Sequence, residues 1–190
     1  MLLDDYKERL AFALSSHRYE HSLNVMEAAG ELALRWGVDQ EKALAAGLLH
    51  DAARDLPLEE MLQESLRAGI EVGPIERGAP VLLHAPVGAY LLQRDWGVGD
   101  EDILQAVAEH TLGKPAMSAL SRIVYLADMT ERNRSFAGVE EIRRLALQDL
   151  DKAMALSLDY VMSWLKQKEA AIHPVSLAAY QYYQERAKDS

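Results

Sequence analysis

Six residues of this sequence have the chemistry and the spacing of metal ligands. Four of them lie in register with the apolar residues of helical stretches, so that they share the face that a helix turns towards the core: His21, His84, His110 and Asp128. The adjacent pair His50-Asp51 ends an Ala/Leu-rich helical stretch. Neutral imidazoles and carboxylates bind metal ions, and a bound metal offsets the cost of burying them. The pattern therefore predicts one metal centre that is built from all six side chains.

A structural role is the alternative for each of these residues taken singly. One inward histidine is usually a core residue that is tied to a neighbouring polar group, and the dipeptide His50-Asp51 is common in proteins. Four inward histidines together with two aspartates would be expensive to bury without a common purpose. The number of such residues, rather than any one of them, favours the metal centre.

The elements that must position these residues are all helical. Ala, Leu, Glu, Arg and Gln dominate the sequence, and alternating patterns typical of strands are absent. Glycine followed by a capping aspartate, as in Gly37 and Asp39, separates neighbouring helices. Helices are predicted at residues 2–15, 18–36, 39–54, 58–68, 79–95, 100–112, 117–129, 137–147, 149–169 and 174–188. We expect an all-α fold with a single domain over residues 1–190, its core at about 15–135 and a C-terminal helical cap at about 136–190.

Composition limits the chemistry and the partners. The 190 residues include no cysteine, which excludes disulfides, zinc–thiolate sites, iron–sulfur clusters and a cysteine nucleophile. The net charge of −10 argues against binding to nucleic acid or to an anionic membrane. No signal peptide and no apolar run long enough to span a bilayer is evident, so a cytoplasmic protein is expected.

The segments around the candidate ligands resemble one family. They are residues 17–23 (HRYEHSL), 47–54 (GLLHDAAR), 84–90 (HAPVGAY), 110–118 (HTLGKPAMS) and 123–128 (IVYLAD), with 136–141 (FAGVEE) and 172–174 (IHP) further along. Together they resemble the YqeK family of the HD-domain superfamily, the bacterial symmetrical bis(5′-nucleosyl)-tetraphosphatases. The resemblance runs from about residue 15 to 183, and the whole set is much more specific than any single motif.

The resemblance implies an HD-domain helical bundle that holds two metal ions and cleaves diadenosine tetraphosphate into two ADP. His21, His50, Asp51 and Asp128 would hold one metal, and His84 and His110 the second, with Asp51 shared between them. The nucleophile would be a metal-bridging hydroxide that Asp51 positions. Iron is expected from the family, although the same ligands accept manganese, cobalt, nickel or zinc.

Phosphate-binding residues are expected next to the ligands. Arg54 follows His50 by one turn and is expected to act with Asp51 in catalysis, since an arginine fork suits phosphate. The expected substrate-binding residues are Arg18, Arg54, Thr111, Gly113, Lys114, Arg132 and Arg134. An ordinary surface charge is the alternative for each cation. The family more often has lysine where Arg54 stands and a second threonine where Leu112 stands.

Other functions remain open to the sequence. Another HD-domain nucleotide phosphohydrolase, either a nucleotidase or a phosphodiesterase, is the nearest alternative. His84 and His110 favour a dinuclear site over a nucleotidase with one metal, and no Gly-Tyr-Pro motif points to a cyclic-dinucleotide enzyme. A metal-binding module without catalysis is a further alternative. The expected partner is a small dinucleoside polyphosphate rather than nucleic acid or membrane, and a homodimer is compatible with the sequence.

Overall fold

The computed structural model describes residues 3–189, and every regular element in that range is helical. The helices are α1 (Leu3–Ala13), α2 (Ser16–Trp36), α3 (Gln40–Leu49), α4 (Leu58–Arg67), α5 (Pro74–Gly78), α6 (His84–Trp96), α7 (Glu101–Glu109), α8 (Ala119–Thr130), α9 (Val139–Ala146), α10 (Leu150–Gln167) and α11 (Pro174–Asp189), with a short 3₁₀ helix at Pro80–Leu83. The predicted all-α fold is confirmed. The predicted helix start at residue 2 and the domain ends at 1 and 190 lie outside the described residues. Among the described helices, none has both the length and the apolar character needed to cross a bilayer.

The four helices α2, α3, α7 and α8 form the centre of the fold. α2 packs against α3 and α8, and α7 packs against α3 and α8, while α6 lies against α7. Their shared core includes the fully buried Leu48, Leu49, Ile123 and Leu126. These helices are amphipathic, so packing their apolar faces together also turns the polar residues on those faces inward. α2, α6 and α8 and the ends of α3 and α7 carry the six candidate ligands.

Three predicted helices differ from the structure at the residues that matter most. The predicted helices 39–54 and 100–112 end early, at Leu49 and Glu109, and the helix predicted from residue 79 begins at His84. In each case a histidine follows directly after the preceding element, namely His50, His110 and His84. Each imidazole Nδ1 bonds the carbonyl three residues earlier, at 2.8 Å, 2.7 Å and 2.5 Å respectively. At His50 and His110 the side chain takes an acceptor that a further helical turn would use, so α3 and α7 stop there. At His84 the 3₁₀ helix passes directly into α6.

The last helices extend the same core. α10 packs against α8, α9 and α11. Tyr183 of α11 is fully buried, and its hydroxyl oxygen accepts the backbone N–H of Met117 at 3.1 Å. On the same side Asp151 binds both Arg122 and Arg186. These contacts fasten the C-terminal helices to the segment that precedes α8.

Gly47 sets the distance between α2 and α3. A Cβ atom at this position would lie 3.0 Å from three atoms of α2, namely the Ala29 Cβ, the Met26 Cα and the Val25 carbonyl oxygen. Two of those atoms belong to the backbone and cannot move independently. Gly47 therefore permits a close helix contact one turn before His50, and it brings His50 against the helix that carries His21.

The variant Gly47→Ala should lower the free energy of unfolding by about 1–3 kcal/mol, the usual cost of overpacking. Gly88→Ala is the matched control, because its Cβ would meet nothing nearer than 3.6 Å and alanine favours a helix by up to about 1 kcal/mol. Urea unfolding of both variants measures the difference. A Gly47→Ala protein as stable as the unmodified chain would show that α2 and α3 can separate at no cost.

Candidate metal centre

All six predicted ligands converge on one buried point of the structure. The Asp51 carboxylate lies in the middle: its Oδ1 is 3.1 Å from His84 Nε2 and 3.7 Å from His110 Nε2, and its Oδ2 is 3.6 Å from His50 Nε2. Asp128 Oδ1 lies 3.0 Å from His21 Nε2 and 4.0 Å from His50 Nε2. The structure therefore brings together side chains from positions 21 to 128 of the sequence.

The ligand atoms form three overlapping groups, each of which has all its atoms within 4.8 Å of one another. The groups are His21, His50 and Asp51; His50, His110 and Asp128; and Asp51, His84 and His110. Asp51, His50 and His110 each belong to two groups. Such overlap is typical of a site that holds two neighbouring ions, in which some ligands serve both.

The histidine rings are oriented for metal binding. In His50, His84 and His110, Nδ1–H donates to a backbone carbonyl, which leaves the lone pair of Nε2 facing the centre. Nε2 of His50 is buried and has no hydrogen-bond partner among the described residues, and the buried Nε2 of His21 makes no well-aligned hydrogen bond although Asp128 Oδ1 lies 3.0 Å away. Buried nitrogens without a partner are costly, and a metal ion would satisfy both. The donor set fits a metal site.

Burial and charge set the protonation states that ligands need. Burial holds the pKa of His50 at about 4, against the attraction of Asp51, so this imidazole is neutral at physiological pH. Burial alone would raise the pKa values of Asp51 and Asp128, but the surrounding histidines, and Arg134 in the case of Asp128, hold both well below the usual range. Neutral imidazole and ionised carboxylate are the forms that coordinate metals.

The pKa values of the neighbouring His84 and His110 rings shift in opposite directions. Their Nε2 atoms lie 3.0 Å apart. Burial lowers the pKa of His84, whereas at His110 the hydrogen bond and the charge of Asp51 outweigh burial and raise the pKa. A metal ion bound at this point would need the Nε2 lone pair of each ring, and therefore both imidazoles in the neutral form.

Glu131 is a part of the site that the sequence analysis missed. Its side chain is buried, and Oε1 lies 3.3 Å from Nδ1 of His21. Its Oε2 accepts the Asn133 backbone N–H at 2.7 Å, which fixes the carboxylate. A carboxylate behind a metal-binding histidine orients the ring and raises its basicity. The available signal was its position three residues after Asp128, directly after the end of α8.

A cleft of about 240 Å³ opens onto the cluster. Its cationic lining residues are Arg18, Arg54 and Arg134. The guanidinium of Arg18 lies 3.4 Å from Asp51 Oδ2, and that of Arg134 lies 2.5 Å from Asp128 Oδ1. Burial and the nearby Arg18 lower the pKa of Arg54, which reflects the concentration of positive charge at this edge.

Other side chains complete the cleft. The Thr111 hydroxyl lies 3.2 Å from Nε2 of both His84 and His110. Tyr125, Met129 and Val161 also line it, and none of these three was predicted from the sequence. They are ordinary core-type residues, so their types gave no signal of a place at the cleft.

Three predicted substrate residues lie elsewhere. Lys114 is exposed and pairs with Glu109 at 3.4 Å. Gly113 is buried with a φ of +67°, where glycine avoids strain. Arg132 forms an ion pair with Glu27 and lines a separate groove between α2 and α9. The structure does not bring these three residues to the cleft.

Comparison with known proteins gives consistent matches. The HD domain family model matches residues 18–133. The symmetrical bis(5′-nucleosyl)-tetraphosphatase of Bacillus subtilis (strain 168) is 44% identical over 89% of this chain and 90% of its own length. The protein of that name from Halalkalibacterium halodurans is 42% identical over 88% of this chain and 89% of its own length.

A solved structure has the same fold. The crystal structure described as a predicted HD superfamily hydrolase involved in NAD metabolism from Clostridium acetobutylicum superposes with a TM-score of 0.93. It is 38% identical and covers 96% of this chain and 97% of the other. The chain therefore belongs to the HD-domain superfamily and, within it, to the YqeK-like family that its motifs resemble.

Proposed function

We propose that this protein hydrolyses dinucleoside tetraphosphates between their two central phosphates, so that diadenosine tetraphosphate gives two ADP. The observation that carries the proposal is the cluster of four histidines and two aspartates beside a cleft lined by three arginines. The relatives named for this activity support it. A substrate with four phosphates needs concentrated positive charge, and a protein with a net charge of −10 offers it here.

The metal ions are part of the proposal. His21, His50, Asp51 and Asp128 would hold one ion, and His84 and His110 the other, with Asp51 shared. Iron is proposed as the native metal because of the family resemblance, while the same imidazole and carboxylate ligands also accept manganese, cobalt, nickel or zinc. When bound, such ions neutralise phosphate oxygens and lower the pKa of a water molecule to the physiological range.

The protein's own residues have separate tasks. Asp51, held between three imidazoles, fixes the centre of the site and positions the attacking water. Arg54 and Arg18 lie at the cleft edge, where their planar forks suit phosphate oxygens. The Thr111 hydroxyl stands beside His84 and His110 and would hydrogen-bond a phosphate or a water there. Burial of the cluster limits competing water, which strengthens each of these interactions.

The proposed division of the chain is compatible with this arrangement. All six ligands fall within the proposed core at about 15–135, while Val161 from the proposed cap at about 136–190 closes one wall of the cleft. We take the protein to act in the cytoplasm on a small molecule rather than on nucleic acid, with a homodimer as its proposed assembly.

Arg134 and Arg132 are nearly adjacent and should respond differently to truncation. Arg134→Ala should raise KM for diadenosine tetraphosphate about tenfold, because a hydrogen bond from a charged group contributes about 1.5–3 kcal/mol. Arg132→Ala should leave KM unchanged, since that side chain pairs with Glu27 away from the cleft. Metal content, measured on both proteins, should stay at the unmodified level. An equal KM for the two variants would show that Arg134 is an ordinary surface charge that does not bind the substrate.

Substrate choice tests the proposal. The purified protein, loaded anaerobically with iron or manganese, is assayed on diadenosine tetraphosphate, on AMP and on a cyclic dinucleotide. We expect kcat/KM to be highest for diadenosine tetraphosphate by at least about a hundredfold, since only that substrate offers a phosphoanhydride chain to the cleft. A preference for AMP would identify a nucleotidase, and a preference for the cyclic compound a phosphodiesterase.

A further inference from the structure

A second groove, of about 400 Å³, adjoins the metal cleft. The two cavities share a wall, because His84 and Thr111 line the cleft while Leu83 and Leu112, their neighbours in the chain, line the groove. Pro86, on the first turn of α6, also belongs to the groove. The groove therefore lies next to the metal cleft, one residue away along both of these segments.

The groove has an apolar surface that the protein core does not use. Ile75, Leu82 and Leu112 line it and are only partly buried. They belong to neither of the two clusters of buried side chains in the described chain. Pro74 and Pro174 add rigid apolar walls. Exposed apolar side chains that face a concave space rather than the core are typical of a ligand site.

A hydrogen-bonded pair of polar side chains, Glu76 and His173, lies within this apolar surface. Glu76 Oε1 lies 2.6 Å from Nε2 of His173, although 97 positions separate the two residues. The backbone N–H of Val175 donates to Nδ1 of His173, so Nε2 carries the proton and donates it to Glu76. Burial opposes ionisation of Glu76, but hydrogen bonds from its own backbone, from His173 and from Gly73 hold its pKa below the usual value. The groove therefore presents an oriented, ionised acceptor.

The charges of the two cavities are complementary to the two ends of a nucleotide. The cleft side carries Arg18, Arg54 and Arg134, whereas the groove is lined by Glu71 and Glu76 and contains no lysine or arginine among its described lining residues. A phosphate would be repelled from the groove. A flat, largely apolar group with N–H donors on its edge fits it.

We propose that this groove binds the base of one nucleoside half of the substrate, with Glu76 accepting a hydrogen bond from the edge of the base. The inference rests on the proposed function for the identity of the substrate. The base lies between the aliphatic side chains of Ile75, Leu82 and Leu112, while the phosphates of the same half lie at the metal cluster. α5 and the start of α11, which the Glu76–His173 pair joins, form the outer wall.

Calorimetric binding of ADP and of pyrophosphate to the manganese-loaded protein tests this assignment. The two probes share their phosphates, and only ADP carries a base. ADP should bind at least about tenfold more tightly, since enclosing the base adds favourable contacts that pyrophosphate cannot make. Equal affinity for ADP and pyrophosphate, or no binding of ADP, would overturn the proposal.

Two variants of the groove test whether its side chains contribute to the binding of ADP. The double variant Ile75→Ala with Leu82→Ala should weaken ADP binding about tenfold and leave pyrophosphate binding unchanged, because it removes apolar surface from the groove alone. Leu58→Ala with Leu66→Ala is the matched control, since it truncates two exposed leucines of α4 and should bind both probes normally. Glu76→Gln, which keeps the size of the side chain, should weaken ADP about tenfold by removing a charged acceptor.

The outcomes separate this proposal from the proposed function. Unchanged ADP binding in both groove variants would overturn the base site even if diadenosine tetraphosphate is hydrolysed. Loss of ADP affinity in the groove variants would support the site even if hydrolysis fails, because the measurement requires no turnover.

Discussion

Asp51→Asn should abolish hydrolysis and lower the metal content of the purified protein from two ions. The carboxylate lies within 3.7 Å of three imidazole nitrogens, so both halves of the cluster depend on it. An amide keeps the shape but removes the negative charge and one ligand oxygen. We expect kcat/KM for diadenosine tetraphosphate to fall at least about a thousandfold, the effect of losing several kcal/mol of charge stabilisation.

Asp5→Asn provides the control, because Asp5 is an exposed residue of α1 and should keep full activity and two metal ions. Elemental analysis gives the metal content, and circular dichroism should show the same helix content for both variants. An Asp51→Asn protein that retains two metal ions and full turnover would remove Asp51 from the ligand set.

Removal of metal should destabilise the folded protein strongly. The cluster holds the buried carboxylate of Asp51, the partly buried carboxylate of Asp128 and a buried Nε2 of His50 that has no hydrogen-bond partner among the described residues, and the unfolded chain cannot assemble this site. A ligand present at a hundred times its dissociation constant stabilises the native state by about 2.7 kcal/mol. For a protein of this size each kcal/mol raises Tm by about 2–4 °C, so one site contributes on the order of 5–10 °C.

Thermal unfolding in excess manganese and in excess chelator measures this difference. The Asp51→Asn variant separates specific binding from a general effect of the cation, because its Tm should respond little to manganese. Equal Tm values for the unmodified protein in manganese and in chelator would contradict a metal centre that forms part of the folded structure.

The convergence of the six candidate ligands was predictable because polar side chains at these positions lie on helix faces that are otherwise apolar. A histidine or aspartate on an apolar helix face is conspicuous in a sequence, as at His21 or Asp128, and the packing of α2 against α8 then brings such residues together. The same argument, applied to the end of an apolar helix, predicts that His50 and Asp51 belong to the cluster. All six predicted ligands lie in the cluster.

The ends of the helices were less predictable. Apolar periodicity continues past Leu49 and Glu109, and nothing in it shows that the following histidine will take a carbonyl three residues back. Glu131 was not predicted for a related reason, since it follows the predicted helix at 117–129 and is not on its apolar face. Periodicity reports which face is buried, and it does not report where a side chain replaces a backbone hydrogen bond.

Closeness in sequence was a poor guide to the substrate residues. Arg132 and Arg134 both follow Asp128, yet only Arg134 reaches the cleft, because the chain turns after Thr130 and directs Arg132 towards Glu27. Lys114 lies four residues after His110 and points to Glu109. The direction of a loop side chain depends on its backbone turn, which composition and spacing leave undetermined.

The position of the cut can be measured directly. The iron- or manganese-loaded protein is incubated anaerobically with diadenosine tetraphosphate, and the nucleotides are separated by chromatography from the earliest time points. We expect ADP as the sole product, two for each substrate consumed. ATP together with AMP, or no turnover with any metal, would contradict a symmetrical dinucleoside tetraphosphatase.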